Sequence, residues 1–181
     1  MSAADLPNSF TATGGEWVVQ SLLAQGIERL YCVPGESYLA VIDALYDVRD
    51  QITQITCRHE SGAAMMALAE AELSQQPSVC FVTRGPGATN ASIAMHMAQQ
   101  ASVPLVLGIG QVASSFLGCD SFQEMDYTRF YGGICKSVIN ITEVAQIPEA
   151  MADAFECAAA GRAGPVAVVF PEDILRQTAR L

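Results

Sequence analysis

The sequence predicts an α/β fold: a doubly wound, mainly parallel six-stranded sheet with helices on both faces. Short β-branched and apolar runs alternate with longer helix-forming segments, the pattern of strand–helix–strand units. Some predicted strands, such as Val79-Cys80-Phe81-Val82, are apolar at every position, as expected of strands buried on both faces. The length of 181 residues suits about one domain with a substantial core.

The elements are predicted in turn from capping residues, periodicity and breakers. The first helix is predicted to begin at Thr13 or the glycines after it and to end at Gly26. Apolar periodicity and turn residues then predict strand 30–33, helix 37–47, strand 52–57, helix 62–73, strand 78–83, helix 91–101, strand 104–107, strand 134–139, helix 148–160 and strand 166–170.

Residues 114–130 are predicted to be irregular, with one short helix near Asp126, and so long an excursion from a compact sheet is often functional. The predicted organisation is a lead-in over 1–12, one domain over 13–173, and a tail or linker to further domains over 174–181.

Composition excludes several classes of function. A net charge of −10 and a pI near 4.4, with no cluster of Lys and Arg, argue against a nucleic-acid partner. The N-terminus lacks the pattern of a secretory signal, and no apolar run is long enough to span a membrane, so we predict a cytoplasmic protein. None of the six cysteines forms a Cys-x-x-Cys pair, and Cys57 with His59 is an isolated Cys-x-His, so no metal site is predicted.

Two predicted helices, 62–73 and 91–101, have almost no polar face. Such helices are either central to a core or covered by another subunit or domain, and the sequence supports both interpretations equally. We predict a homodimer, because these helices need cover on the side that faces away from the sheet.

Glu60 is the best-placed acid of the chain. It follows a predicted strand, and ligands of open α/β sheets bind at the carboxyl ends of the strands. The alternative is that Glu60 only sits in the first turn of a helix, where acids are common. The loops containing Pro34-Gly35 and Arg84 to Asn90 are predicted to converge on the same edge.

Gly108-Ile109-Gly110-Gln111-Val112-Ala113 matches the loose dinucleotide pattern Gly-x-Gly-x-x-Ala, although it follows the fourth strand and precedes no predicted helix. It supports the alternative function, a non-catalytic nucleotide-binding or regulatory module. Residues 84–90 lack the Gly-Lys-Ser/Thr ending of a P-loop.

An ordered set of motifs closely resembles the N-terminal pyrimidine-binding domain of thiamine diphosphate enzymes, nearest to the acetolactate synthase branch. The match covers about 13–173, and the motifs are Tyr31-Cys32-Val33-Pro34-Gly35-Glu36, Arg58-His59-Glu60-Ser61-Gly62-Ala63-Ala64, Gly85-Pro86-Gly87-Ala88-Thr89-Asn90, Val103-Pro104-Leu105-Val106 with Gly110-Gln111-Val112, Phe122-Gln123-Glu124, and Gly164-Pro165-Val166 to Pro171-Glu172-Asp173.

The resemblance implies roles for particular residues. Glu60 matches the glutamate that hydrogen-bonds the pyrimidine nitrogen and favours the imino tautomer, which takes the proton from thiazolium C2. The positions that match the lining of the pyrimidine pocket are Pro34, Gly35, Thr83, Pro86, Gly87 and Asn90. The residues that resemble the substrate side of acetolactate synthases are Gln111, Phe116, Phe122 and Lys136. The implied reaction is decarboxylation or carboligation of 2-keto acids, with thiamine diphosphate as the electron sink.

The sequence departs from the family at three points. Arg84 stands where many synthases have a small Ser, and Glu70-Ala71-Glu72-Leu73 replaces Glu-Gly-Tyr-Ala, so another decarboxylase, lyase or carboligase reaction is equally compatible. The Gly-Asp-Gly…Asn module that holds Mg²⁺ and the diphosphate is not in these residues.

We therefore predict that the isolated chain is inactive and that a diphosphate-binding domain completes the site. The chain is then an excised domain or one subunit of a two-chain enzyme, with excision favoured. Binding of flavin (FAD) is left open.

Overall fold

A computed structural model describes residues 11–180 and contains two sheets. The larger has six parallel strands in the order β3-β2-β4-β5-β7-β6, and in the smaller β1 pairs antiparallel with β8. The strands are β1 Thr11–Thr13, β2 Arg29–Cys32, β3 Thr53–Thr56, β4 Ser78–Thr83, β5 Leu105–Gln111, β6 Ser137–Asn140, β7 Pro165–Pro171 and β8 Thr178–Arg180.

Helices cover both faces of the larger sheet, which confirms the predicted doubly wound fold. They are α1 Gly14–Ala24, α2 Leu39–Asp47, α3 Glu60–Ser74, α4 Arg84–Ala101, α5 Tyr127–Tyr131, α6 Ile147–Ala159 and α7 Glu172–Arg176. One core cluster lies under α1, α2 and α6 and contains Trp17, Val41 and Phe155, whereas the other lies under α3, α4 and α5. Because all six strands run in the same direction, their carboxyl ends form a single edge.

Strand β5 is longer than predicted, and this removes the basis for a nucleotide-binding turn. It continues to Gln111, so Gly108 and Gly110 lie inside a strand paired with β4 and β7. A Cβ on Gly108 would lie 2.4 Å from the ring of Phe81, which stacks on Phe170 at 5.9 Å. The glycine therefore makes room for aromatic packing in the core, and the Gly-x-Gly-x-x-Ala match has no functional meaning.

Residues 174–180, predicted to be part of a tail or linker, include the end of α7 and the strand β8. Ile174 and Leu175 of α7 are buried in the first core cluster, and Ala179 of β8 pairs with Ala12 of β1. The Nε1 of Trp17 donates a hydrogen bond to the carbonyl of Ala179 at 3.3 Å. Of the predicted lead-in, residues 1–10 lie outside the described range. The domain limits themselves stay a prediction.

The starts of α3, α4 and β6 differ from the predicted ones. Helix α3 starts at Glu60 and α4 at Arg84, so the glycine-rich segment 84–90 is helical rather than a loop. Strand β6 starts at Ser137, because Ile134 and Cys135 close the turn after α5 through hydrogen bonds to the carbonyl of Tyr131, both 2.8 Å. Within residues 11–180, every helix is too short or too polar to cross a membrane.

Candidate active site

Glu60 is the first residue of α3, immediately beyond the edge formed by the strand ends. His59 is the N-cap, and its Nδ1 accepts a hydrogen bond from the backbone N–H of Ser61 at 3.2 Å. This cap satisfies one of the free donors at the helix start and places the Glu60 side chain beside the sheet edge. Glu60 therefore lies in the first turn of a helix, as the alternative without a functional role predicts. Its carboxylate, however, also contacts a residue of a second helix, α4.

The carboxylate of Glu60 has one oxygen engaged within the chain. The Nδ2 of Asn90, in the second turn of α4, donates to Oε2 at 2.9 Å. Oε1 lies 3.6 Å from the point that a Cβ on Gly87 would occupy. The missing side chain of Gly87 thus leaves space next to Oε1, so the acid is held by one oxygen and open toward a ligand at the other.

The loop after β2 meets the end of β4 at the same edge. A Cβ on Gly35 would lie 2.3 Å from the Cβ of Thr83, so only glycine permits this approach. The hydroxyls of Thr83 and Ser37 share a short hydrogen bond. Pro86 lies in the first turn of α4, where a missing N–H is tolerated. The structure brings together all the residues predicted to bind the cofactor, and their roles stay predictions.

Thr89 does not present its hydroxyl to this edge. The hydroxyl donates to the carbonyls of Gly85 and Pro86, both at 2.9 Å, and so belongs to the hydrogen bonding of α4 itself. Of these two neighbouring residues of α4, Asn90 is therefore the one whose side chain contacts Glu60.

Arg84 ties three loops together, a feature that sequence reasoning missed. Its NH1 lies 3.1 Å from Oε1 of Glu36, and its NH2 lies 3.1 Å from Oε2 of Glu172. Its backbone φ of 47° is in the left-handed region, unusual for a residue other than glycine. Glu36 and Glu172 each follow the carboxyl end of a strand, which was the signal that one base could meet both.

The predicted substrate-side residues divide into two groups. Phe116 and Phe122 are exposed and line a cavity of about 320 Å³ with Arg84 and Glu172. Gln111 lies at the same edge but is buried: its Nε2 donates to the carbonyl of Met125 at 2.9 Å, and its Oε1 accepts from the N–H of Val112 at 3.0 Å. Gln111 therefore supports the loop rather than facing the cavity.

Lys136 does not reach the site, and its placement on the substrate side is wrong. It precedes β6, so it lies at the amino edge of the parallel sheet, opposite Glu60. Its Nζ donates to the carbonyls of Cys157 and Ala160 at the C-terminal end of α6. A cation there satisfies orphan carbonyls and complements the helix dipole, which is a structural role.

Carboxylates hold the irregular loop after β5 in place. Backbone N–H groups of Gly118 and then Ser121 lower the pKa of Glu124. Burial acts to raise the pKa of Asp173, but hydrogen bonds from the side chain and backbone of Ser114 lower it overall. Both groups are thereby favoured as carboxylates, which keeps this side of the site acidic.

The cysteines of the described range are free thiols. Burial raises the pKa of Cys80 and raises that of Cys135 to about 12. Among residues 11–180, no three His, Cys, Asp or Glu side chains form a group that could hold a metal ion.

Comparison with known proteins points to one family. The sequence profile described as "Thiamine pyrophosphate enzyme, N-terminal TPP binding domain" matches residues 12–130. The chain is 40% identical over 161 residues to the acetolactate synthase isozyme 2 large subunit of Escherichia coli, which covers 89% of this chain and 29% of that protein. It is 41% identical over 162 residues to the isozyme 1 large subunit of the same organism, covering 90% and 29%.

A relative from another organism gives a similar match. The acetolactate synthase of Mycobacterium bovis is 37% identical over 164 residues, which covers 91% of this chain and 26% of that protein. The chain therefore spans less than a third of the length of these relatives.

Proposed function

This chain belongs to the thiamine pyrophosphate enzyme family as its N-terminal domain, and from that premise we propose that it is the pyrimidine-binding half of an acetolactate synthase-like enzyme acting on 2-keto acids. Glu60 is proposed as the cofactor-activating acid. The single observation that carries the proposal is the pairing of Glu60 Oε2 with Asn90 at 2.9 Å, which leaves Oε1 beside the space at Gly87.

The residues at the edge fit the pyrimidine of thiamine diphosphate. A carboxyl group that shares a proton with a ring nitrogen needs one oxygen free and a fixed orientation, which Asn90 and the cap on α3 supply. Gly87 and Gly35 bring backbone close to the site, and we propose that they line the pocket together with Pro34, Thr83 and Pro86. When bound, the cofactor supplies the electron sink for chemistry next to a carbonyl group.

Each residue at the edge then has a proposed task. Glu60 holds or releases a proton at Oε1, while the amide of Asn90 keeps the other oxygen from rotating into the ligand space. Phe116 and Phe122 exclude water from the substrate side through their exposed rings. Gln111 keeps the loop that carries these rings attached to the end of β5.

We propose that a diphosphate-binding domain, in the same polypeptide or in a partner subunit, holds Mg²⁺ and the diphosphate, so that this chain alone is inactive. The free cysteines of the described range support the further proposal that the enzyme works in the cytoplasm. The names of the relatives, acetolactate synthases, support the choice of 2-keto acids as substrates.

The test is to assemble the chain with a diphosphate-binding domain from a relative and to measure turnover of a 2-keto acid. We expect Glu60→Gln to lower kcat by at least about a hundredfold, because general acid–base catalysis contributes that much. Glu72→Gln is the matched control, since Glu72 is an exposed acid on the same helix. Full activity of Glu60→Gln in an assembled enzyme would refute the proposal.

A further inference from the structure

We infer that the cavity beside Arg84 takes an uncharged carbonyl compound as the acceptor substrate, and that Arg84 enforces this choice because its own charge is already neutralised. The inference rests on the proposed function and specifies the substrate class of the same site. It concerns the cavity lined by Phe116 and Phe122, which lies beyond the ends of β4, β5 and β7.

The lining of this cavity is mainly apolar. Beyond the two phenylalanines, its residues are Val112, Ala113, Ser121, Arg84 and Glu172, and its volume of about 320 Å³ suits a small organic molecule. Arg84 is the one basic residue among these lining residues. Among the lining residues, Arg84 is therefore the side chain with which a substrate carboxylate could form an ion pair.

Both terminal nitrogens of Arg84 are already engaged. Glu172 and Glu36 each approach one of them at 3.1 Å, and the Arg84 side chain is only 12% exposed. The remaining nitrogen, Nε, is out of reach of solvent and has no hydrogen-bond partner among residues 11–180. The guanidinium consequently offers no open fork to an incoming carboxylate, although such forks are what make arginine a carboxylate binder.

The two acids differ in how firmly they hold Arg84. Glu36 is 66% exposed, so its pair is screened by solvent, whereas Glu172 is 22% exposed and sits on the first turn of α7. With both acids present the cluster carries one net negative charge, and Asp173 next to Glu172 adds another. A substrate carboxylate would meet repulsion here, whereas a neutral carbonyl compound would meet only the apolar lining.

The geometry of Arg84 is fixed from several directions. Its NH1 also lies 3.5 Å from the carbonyl of Phe122, and the N–H of Gly85 donates to the carbonyl of Gln123 at 2.9 Å. The loop that carries Phe122 is thus attached to the start of α4. Rotation of the guanidinium toward a ligand would break these contacts, so the neutralised state persists when the cavity fills.

The test compares pyruvate with methyl pyruvate, which have the same carbonyl group but differ in charge. Each is titrated into the chain alone, without thiamine diphosphate, and the methyl NMR signals of Val112 and Ala113 report binding. We expect methyl pyruvate to bind at least about tenfold more tightly than pyruvate, the usual effect of one unfavourable or missing charged contact.

Variants then locate the cause. Glu172→Gln should raise the affinity for pyruvate by about tenfold and leave that for methyl pyruvate nearly unchanged, because it frees one nitrogen of Arg84. Glu36→Gln is the matched control and should have a smaller effect, since its pair is exposed.

Three outcomes would overturn the inference: pyruvate binding as tightly as methyl pyruvate, neither compound shifting the two methyl signals, or Glu172→Gln leaving the preference unchanged. If Glu172→Gln does not fold, the comparison of pyruvate with methyl pyruvate in the wild-type chain still decides whether the cavity prefers the uncharged compound. These titrations need neither cofactor nor turnover, whereas the Glu60→Gln test measures turnover. The two tests are therefore independent, and either proposal can be refuted while the other stands.

Discussion

Gly87 is a residue whose contribution to the site comes from having no side chain. A Cβ at this position would lie 3.1 Å from the Cβ of Val82 and 3.6 Å from Oε1 of Glu60. We expect Gly87→Ala to weaken thiamine diphosphate binding in the assembled enzyme by about tenfold to a hundredfold, because displacement by a fraction of an ångström at a reacting group is costly. Calorimetric titration of the cofactor measures this.

Gly62 is the matched control on α3. Nothing lies within 4 Å of a Cβ added there, so Gly62→Ala should leave cofactor binding unchanged and raise the free energy of unfolding by about 0.5–1 kcal/mol. Equal losses of binding in both variants would show that any glycine replacement disturbs the fold, and that the space beside Glu60 has no special role.

Glu124 gives a pH-dependent prediction at the residue scale. Backbone N–H groups, that of Gly118 first, lower its pKa in the folded chain below the unfolded value of about 4.3. The stability that the Glu124 carboxylate contributes is therefore complete above that value and is lost as the pH falls through the lowered pKa. We expect the carboxyl carbon signal of Glu124 to titrate below about 4.3 in NMR.

Hydrogen exchange checks the same turn. The N–H groups of Gly118 and Ser121 should become less protected as Glu124 takes up its proton, and Glu124→Gln should abolish this pH dependence. An ordinary glutamate pKa, or exchange that does not follow the titration, would contradict the prediction.

At the scale of elements, strand β8 decides whether the C-terminal segment belongs to the domain. Removing residues 178–181 takes away the partner of β1 and the carbonyl that accepts from Trp17. We expect the free energy of unfolding to fall by about 1–3 kcal/mol, as for the loss of other packed contacts. The single tryptophan reports unfolding by its fluorescence.

Arg180→Ala is the control for this truncation, since the side chain is exposed, and it should change stability by no more than about 0.5 kcal/mol. If the truncated chain is as stable as the full one and its tryptophan emission is unchanged, the segment is a linker after all, as the sequence suggested.

At the scale of the whole molecule, α3 and α4 leave an apolar face toward solvent. Leu73 is 88% exposed and Ile93 52% exposed, and Met66 and Met97 lie on the same two helices. Patches of this kind mark interfaces. We propose that the face pairs with a second copy, and expect Ile93→Glu to shift the mass measured by light scattering from dimer to monomer.

Tyr46 provides a control outside this face. It is also an exposed large side chain, but it lies on α2, on the other side of the sheet, so Tyr46→Glu should leave the mass unchanged. A wild-type chain that stays monomeric at micromolar concentration would contradict the proposed pairing.

Sequence pattern alone was sufficient for the six-stranded α/β fold and for the edge where Glu60, Asn90 and Gly35 meet. The reason is that alternation of strands and helices forces a parallel sheet, and a parallel sheet collects all its carboxyl ends on one side. Lys136 was predicted inside strand 134–139, and only the structure shows that it precedes β6 and lies at the opposite edge.

Only the tertiary structure decided the rest. It showed that Gly108 of β5 makes room for Phe81, that β8 pairs with β1, and that Arg84 is neutralised by Glu36 and Glu172. Each of these depends on contacts between residues far apart in the chain, and local propensity carries no information about which distant partners meet. The acid Glu60 was visible in the sequence, whereas the charges around the cavity beside Arg84 were set by packing.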